Sequence, residues 1–307
     1  MAIVVIGASF IDLKGFPENT YLPKGRNAGR VEIVHGGVAR NVVEDIANVE
    51  LTPTFISLVD DTDMGMAVRR KLDNHKVNTD YVLSTPDGMG MWLAVFDENG
   101  DVAGSISKRP DMMPLLSLLE EKGDEIFQSA DSIAIEVDID KPILKLVLKY
   151  AAKYGKPVYA VVSNMSIASE RRDLLRQIDC TVCNEQEAEI LFAKDLALLS
   201  PEELQALLPD LIKNAALPAI VVTMGAQGAV FASQKGESGR CPAKPVNVAD
   251  TTGAGDAFFA GVAIGLTYGK TLGEAVQIGT SLASSVIISS DNVCPRFLPS
   301  EFGIEIN

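Results

Sequence analysis

Asp250-Thr-Thr-Gly-Ala-Gly-Asp-Ala-Phe-Phe-Ala-Gly261 is a glycine-bearing turn that runs straight into an apolar stretch of helical character. At such a helix start the backbone N–H groups of Gly253, Ala254 and Gly255 would lack intrahelical acceptors. The helix dipole would add to their pull on a phosphate or on developing negative charge. Asp256 stands out there, because a carboxylate competes with an anion unless it has another task. Accepting the proton of a hydroxyl that attacks a phosphoryl group is such a task, and an ordinary carboxylate at the start of a buried helix is the plainer alternative. Two other nucleotide motifs fail. Gly265-Leu-Thr-Tyr-Gly-Lys-Thr271 has three residues between its glycines where a phosphate-binding loop needs four. Gly253-Ala-Gly255 lacks the third glycine of a dinucleotide fingerprint and lies far from the first β-α unit, which disfavours a dinucleotide oxidoreductase.

The elements that must hold this turn alternate. Ala2 to Ile6 reads as a strand, Val38 to Val49 as a helix, Thr54 to Val59 as a buried strand and Met64 to His75 as a helix. From Pro114 onward strand and helix signals alternate again: Ser132 to Ile135, Lys141 to Tyr154, Val158 to Val162, a helix near Arg171, the Cys180 strand and a helix from Glu185. Ala219 to Thr223, a Gly225-to-Gly228 turn, Ala229 to Ala232 and helices starting near Gly255 and Thr271 complete the series. This order predicts an α/β fold with a central, mostly parallel sheet flanked by helices. Two excursions interrupt it. One is the polar stretch Lys14 to Arg30; the other is Gly90 to Phe96 and Asp101 to Ser107 around an Asp97-Glu-Asn-Gly100 turn of hairpin chemistry.

The 307 residues carry a net charge of −14, so the protein's own field would oppose a nucleic-acid polymer. No apolar run approaches the roughly 20 residues that span a bilayer, and the N-terminus lacks a basic segment and cleavage site; a cytoplasmic protein without a membrane partner is expected. Cys180 and Cys183 lie three apart on a strand and face opposite ways, so they read as structural thiols with Cys241 and Cys294. His35 reads as a partly buried loop residue.

Asp250-Thr-Thr-Gly-Ala-Gly-Asp256 resembles the C-terminal signature of the ribokinase-like, PfkB-type carbohydrate and nucleoside kinases. Four further elements are similar in the same order: Gly7 to Asp12, Gly36-Gly37 followed by Asn41, Asn184-Glu-Gln-Glu187, and Val222-Thr-Met-Gly-Ala-Gln-Gly228. The resemblance implies one ribokinase-like domain over residues 1–307, with a small β lid from about 14–33 and 88–108. It makes Asp256 the base, with Gly253, Ala254 and Gly255 as the anion hole. Asp12 would accept two sugar hydroxyls, Gly37 would admit the substrate, Asn41 would add a hydrogen bond, and Glu136 would stand at a strand end where an acidic substrate contact is expected. A turn residue is the plain alternative for Asp12. Asn184, Glu187, Thr223, Gly225 and Gly228 would serve ATP, with Glu187 organising Mg²⁺ through water, although Asn184 can simply cap its helix and the glycines can be hairpin geometry. Backbone oxygens of Asp250 and Thr252 would offer a K⁺ site.

Gly36-Gly-Val-Ala-Arg-Asn-Val-Val-Glu44 and Lys235-Gly-Glu-Ser-Gly239 look most like the pseudouridine kinase branch. That implies phosphorylation of pseudouridine at its 5′-hydroxyl, with Met89 and Met91 of the lid packing on the base. A ribose- or fructose-type sugar kinase, another nucleoside kinase and a non-catalytic binding protein are the alternatives. Lid edges such as Gly90 to Phe96 would pair two copies into a homodimer.

Overall fold

The structure, a computed structural model, describes residues 1–163 and 169–305. In chain order the first strands are β1 (Ile3–Ile6), β2 (Phe10–Pro17), β3 (Gly29–Gly36), β4 (Thr54–Val59), β5 (Val82–Ser84), β6 (Gly90–Phe96) and β7 (Val102–Lys108). They are followed by β8 (Ser132–Glu136), β9 (Val158–Val161), β10 (Cys180–Asn184), β11 (Ala219–Thr223), β12 (Ala229–Ser233) and β13 (Ser238–Cys241). The α-helices are α1 (Val38–Asn48), α2 (Asp63–Asn74), α3 (Pro114–Ser129), α4 (Lys141–Tyr154), α5 (Arg172–Leu175), α6 (Glu185–Phe192), α7 (Pro201–Ala215), α8 (Ala254–Thr267) and α9 (Leu272–Ile287).

Short, β-branched runs such as Ile-Val-Val-Ile in β1 are buried along their whole length, as strands covered on both faces must be. Nine strands form one sheet in the order β13-β12-β11-β10-β9-β8-β1-β4-β5. Every pairing from β11 to β5 is parallel, and β12 alone among these strands is reversed, antiparallel to both β11 and β13. The expected α/β architecture is therefore present. Side chains of α1, α2, α8 and α9 pack on one face, and those of α3, α4, α6 and α7 on the other. Cys180 belongs to the first core and Cys183 to the second, so the two thiols are on opposite sides of the sheet.

Strand order reverses between β1 and β8, where the chain runs outward to β4 on one side and to β9 on the other. In open parallel sheets a crevice opens beyond the carboxyl ends of the strands at such a reversal. Over it lies a separate four-stranded sheet, β3-β2-β6-β7. Three details depart from expectation. Gly90 to Phe96 is no edge: β6 pairs with β2 on one side and β7 on the other, leaving β3 and β7 as the edges. Asp12 lies inside β2, not in a turn after β1. The helices α3 and α7 are additions to the expected series; Pro114 is the first residue of α3, and Pro209 lies inside α7, where proline ordinarily breaks a helix. No helix among the described residues is long and apolar enough to cross a membrane.

Candidate active site

A cavity of about 560 Å³ opens at the strand-order reversal. Asp12, Gly37, Asn41, Glu136, Thr252 and Asp256 all line it, so residues from β2, α1, β8 and the α8 turn converge.

Local glycines make the convergence possible. Gly37 begins α1 with a φ of 97°, and a Cβ there would come within 2.6 Å of the Ala8 carbonyl. A Cβ on Gly36 would meet the Asp12 carboxylate at 2.3 Å, so that glycine makes room for the acid. Glu136 closes the other side: its Oε1 accepts from Ala39 N at 2.8 Å and Ala8 N at 3.3 Å, at the start of α1. Burial raises the Glu136 carboxyl, and the charge of nearby Asp138 raises it further.

The α8 turn differs from the expected pattern in one donor. Ala254 N–H is engaged, donating to Thr251 O at 3.2 Å, whereas among the described residues no acceptor meets the N–H groups of Gly253, Gly255 or Asp256. The turn is tight because Gly253 has a φ of 81° and no side chain caps the helix. Asp256 Oδ2 accepts from Asn41 Nδ2 at 2.7 Å. Loss of water pushes the Asp256 carboxyl up to about 7; the Asn41 hydrogen bond and the Arg40 charge oppose this, and the Asp12 charge reinforces it. Burial likewise moves Asp12 up to about 6, against Lys14 and Arg40.

Asn184 and Glu187 are elsewhere along the same carboxyl edge. They form a reciprocal capping box: Asn184 Oδ1 accepts from Glu187 N at 2.9 Å, and Glu187 Oε2 from Asn184 N at 2.8 Å. Burial raises Glu187, its Asn184 hydrogen bond opposes this, and the Asp138 charge adds to the rise. Asp138 is itself paired with Arg109, so a hydrated dication at this edge would relieve chiefly the buried charge of Glu187. No group of three or more metal-ligating side chains occurs among the described residues, so any such ion keeps water ligands. Thr223 pairs in register with Asn184 on the neighbouring strand. Gly225 and Gly228 follow in a tight turn where a Cβ on Gly228 would come within 2.1 Å of Cys241 O. None of these three lines the cavity of Asp256.

Asp250 and Thr252 fit a monovalent cation poorly on their side-chain faces. Lys14 Nζ lies 3.9 Å from Asp250 Oδ2 and donates to Thr252 Oγ1 at 3.4 Å, placing a full positive charge at this turn. Asp250 Oδ1 is taken by Thr252 N and Oγ1.

Several lining residues escaped sequence reasoning. Phe10 and Trp92 give the cavity an aromatic wall, and Ser107, Arg109 and Asp138 give it a polar one. Asp138 is held by Arg109 and by Ser163 Oγ at 2.8 Å. Trp92 pairs with Asp12 in the parallel register of β2 and β6 and so shares its face, a placement that the sequence of β6 alone does not give. By strand alternation Met91 faces away, and with Met89 it lines a different depression beside α2, so neither packs on a ligand beside Asp256. His35 is in β3, where its carbonyl accepts from Arg40 and Asn292.

The family of pfkB carbohydrate kinases matches residues 2–293. A guanosine-inosine kinase of Exiguobacterium acetylicum is 35% identical over 292 residues, covering 94% of this chain and 95% of that protein. The pseudouridine kinase of Escherichia coli K12 is 26% identical over 286 residues, covering 93% and 90%. Among solved structures, Arabidopsis thaliana ribokinase complexed with ribose and ATP superposes with a TM-score of 0.79 at 21% identity, covering 95% of each chain. The chain belongs to the pfkB family of carbohydrate kinases, phosphotransferases with an alcohol group as acceptor.

Proposed function

We propose that this kinase transfers the γ-phosphoryl group of ATP to the 5′-hydroxyl of a nucleoside, and that the nucleoside carries a 6-oxopurine base, as in guanosine or inosine. The observation that carries the nucleoside reading is the aromatic wall of Phe10 and Trp92 in the same cavity as Asp12 and Asp256. A free sugar needs the carboxylates but leaves two aromatic faces without a partner, whereas a base stacks on them. The 6-oxopurine choice rests on the guanosine-inosine kinase being the more similar of the two nucleoside kinases described above. Pseudouridine is the second reading, favoured by Ser107 and Arg109, which give the cavity hydrogen-bonding groups suited to a polar base edge.

In this reading Asp12 accepts two ribose hydroxyls and Asn41 and Glu136 complete the sugar site. Asp256 takes the proton of the 5′-hydroxyl as its oxygen bonds to the γ-phosphorus and the bond to the ADP oxygen breaks. The free N–H groups at the start of α8 receive the charge that develops on the phosphoryl oxygens. Glu187, with Asp138 beside it, would hold Mg²⁺ through water, and the ion supplies charge neutralisation on the phosphates. Thr223, Gly225 and Gly228 would border the nucleotide. Lys14 stands at the side chains of Asp250 and Thr252, so a K⁺ ion at this turn would be held by their backbone oxygens. The four-stranded sheet, with strands over 10–17, 29–36, 90–96 and 102–108, acts as a lid on a single catalytic unit.

ATP consumption with Mg²⁺, read with product mass over guanosine, inosine, pseudouridine, uridine, adenosine, ribose and fructose, tests the reading. Guanosine and inosine should respond most strongly; a response to pseudouridine alone selects the second reading, and a response to ribose or fructose alone removes the nucleoside. The outer face of the lid leaves Val31, Ile33, Leu93 and Ile106 exposed, which supports a homodimer through that sheet. A monomeric mass by light scattering at micromolar concentration would exclude it.

A further inference from the structure

Asn41 touches Asp256 through an amide whose two ends have the same shape and opposite hydrogen-bonding character. With Nδ2 toward Asp256 it donates to the carboxylate; turned over, it would set one acceptor against another. The side chains behind Asn41 decide between these states. Arg40 NH1 donates to Asn41 Oδ1 at 2.7 Å and to His35 O at 2.8 Å, while its NH2 meets Glu44 Oε2. Asn292 Nδ2 donates to Asn41 Oδ1 at 3.3 Å and to His35 O at 2.7 Å. A guanidinium has only donors, so the Asn41 atom that faces it must be the oxygen. The nitrogen is then left to face Asp256, and its second hydrogen is free for a substrate oxygen.

We propose that Arg40 is a positioning residue for phosphoryl transfer: with Asn292 it locks the Asn41 amide so that Asn41 donates to the catalytic carboxylate of Asp256. The inference rests on Asp256 acting as the base. Arg40 is wholly buried on α1, Glu44 is buried beside it, and Lys71 Nζ lies 2.8 Å from the other Glu44 oxygen. Taking such charges out of water costs about as much as their attraction returns, so stability alone is a poor reason for the arrangement. Orientation is a better one, because the planar fork of Arg40 meets three acceptors at once and an ammonium cannot reproduce that geometry. The charged groups facing Asp256 are Arg40 and Asp45 from α1, Asp12 from β2 and Glu136 from β8, with Lys14 acting on Asp12.

Arg40→Lys keeps the charge and removes the fork. In the full-length enzyme kcat should fall about 10- to 100-fold with the KM for ATP unchanged, as for a slightly misplaced catalytic group. The acid limb of kcat/KM should move up by about one pH unit, because Asp256 loses a hydrogen bond that favours its charged form. In an Asn41→Ala background Arg40→Lys should cost kcat nothing further, since the residue it orients is gone. Folded Arg40→Lys with a wild-type kcat and limb overturns the proposal, and so do losses that multiply in the double variant. If Arg40→Lys does not fold by circular dichroism, Asn292→Ala decides: a several-fold loss of kcat and an upward limb, both absent in the Asn41→Ala background, support the lock, and an unchanged folded enzyme overturns it. Asp256→Asn at full kcat would instead remove the base itself, a failure visible without any Arg40 variant.

Discussion

Two helices of this protein, α6 and α8, begin at the carboxyl edge of the same sheet, and each has a carboxylate at the third position of its first turn. In α6 that residue is Glu187, and it reaches back to close a capping box with Asn184. In α8 it is Asp256, which makes no such return; its carboxylate goes to Asn41, and Gly253 at the cap position has no side chain to offer. Elsewhere Ser200 with Glu203 and Thr271 with Glu274 repeat the closed arrangement of α6. Other helices, α1, α3, α4 and α5, also start without a side-chain cap, but α8 is the one whose uncapped first turn carries a carboxylate that lines the cavity. A helix start left with free N–H groups costs stability, and the same groups are what an incoming phosphoryl group needs. Gly253 holds the end open by geometry: with its φ of 81°, a Cβ would come within 2.0 Å of Asn292 O.

Asp256→Asn should separate the two helix ends most sharply. The proposed base is lost while shape and burial stay, so kcat should fall by about 10²- to 10⁴-fold, in the range of a positioned proton acceptor. Calorimetry should show nucleoside binding retained. The pH dependence follows the same group with a definite sign. A carboxyl pushed up to about 7 is protonated and idle below that pH, so kcat/KM should rise as pH increases through about 7 and level off above it. The substituted enzyme should lose that limb. A limb near the ordinary carboxylate range in the unsubstituted enzyme would place Asp256 in a far wetter site than its cavity provides.

The open end was readable in the sequence because its signals are local. A glycine turn followed by an apolar helix and a misplaced acid are features of neighbouring residues, and the parallel sheet likewise follows from alternating strand and helix periods. What escaped is non-local. Asn292 is 251 residues from the Asn41 it orients, in a loop without periodicity. Arg40 and Glu44 follow each other at helical spacing, a pattern normally found on solvated faces, and only the packing of α1 against α8 reveals that this pair is buried. The lid register was hidden for a related reason. β2 pairs in parallel with β6, strands separated by most of the first α/β units, so neither the interior place of β6 nor the outward turn of Met91 could be read from hairpin chemistry.

The smallest effects should come from the closed ends, and they discriminate between a cap and a site. Thr271→Ala, at a capping box on α9, removes a side-chain acceptor for Glu274 N and should cost about 1 kcal/mol of stability in denaturant titration. Its kcat and its Mg²⁺ requirement should be unchanged. Asn184→Ala removes the equivalent acceptor from Glu187 N and should cost a similar amount of stability. If Glu187 also organises Mg²⁺, loosening it should raise the Mg²⁺ concentration for half-maximal rate several-fold while kcat at saturating Mg²⁺ recovers. Equal stability losses with a Mg²⁺ shift only in Asn184→Ala would give the α6 end a second role beyond capping. Equal losses with no shift in either would leave Asn184 and Glu187 as a cap, and the contrast between α6 and α8 would then be one between structure and chemistry.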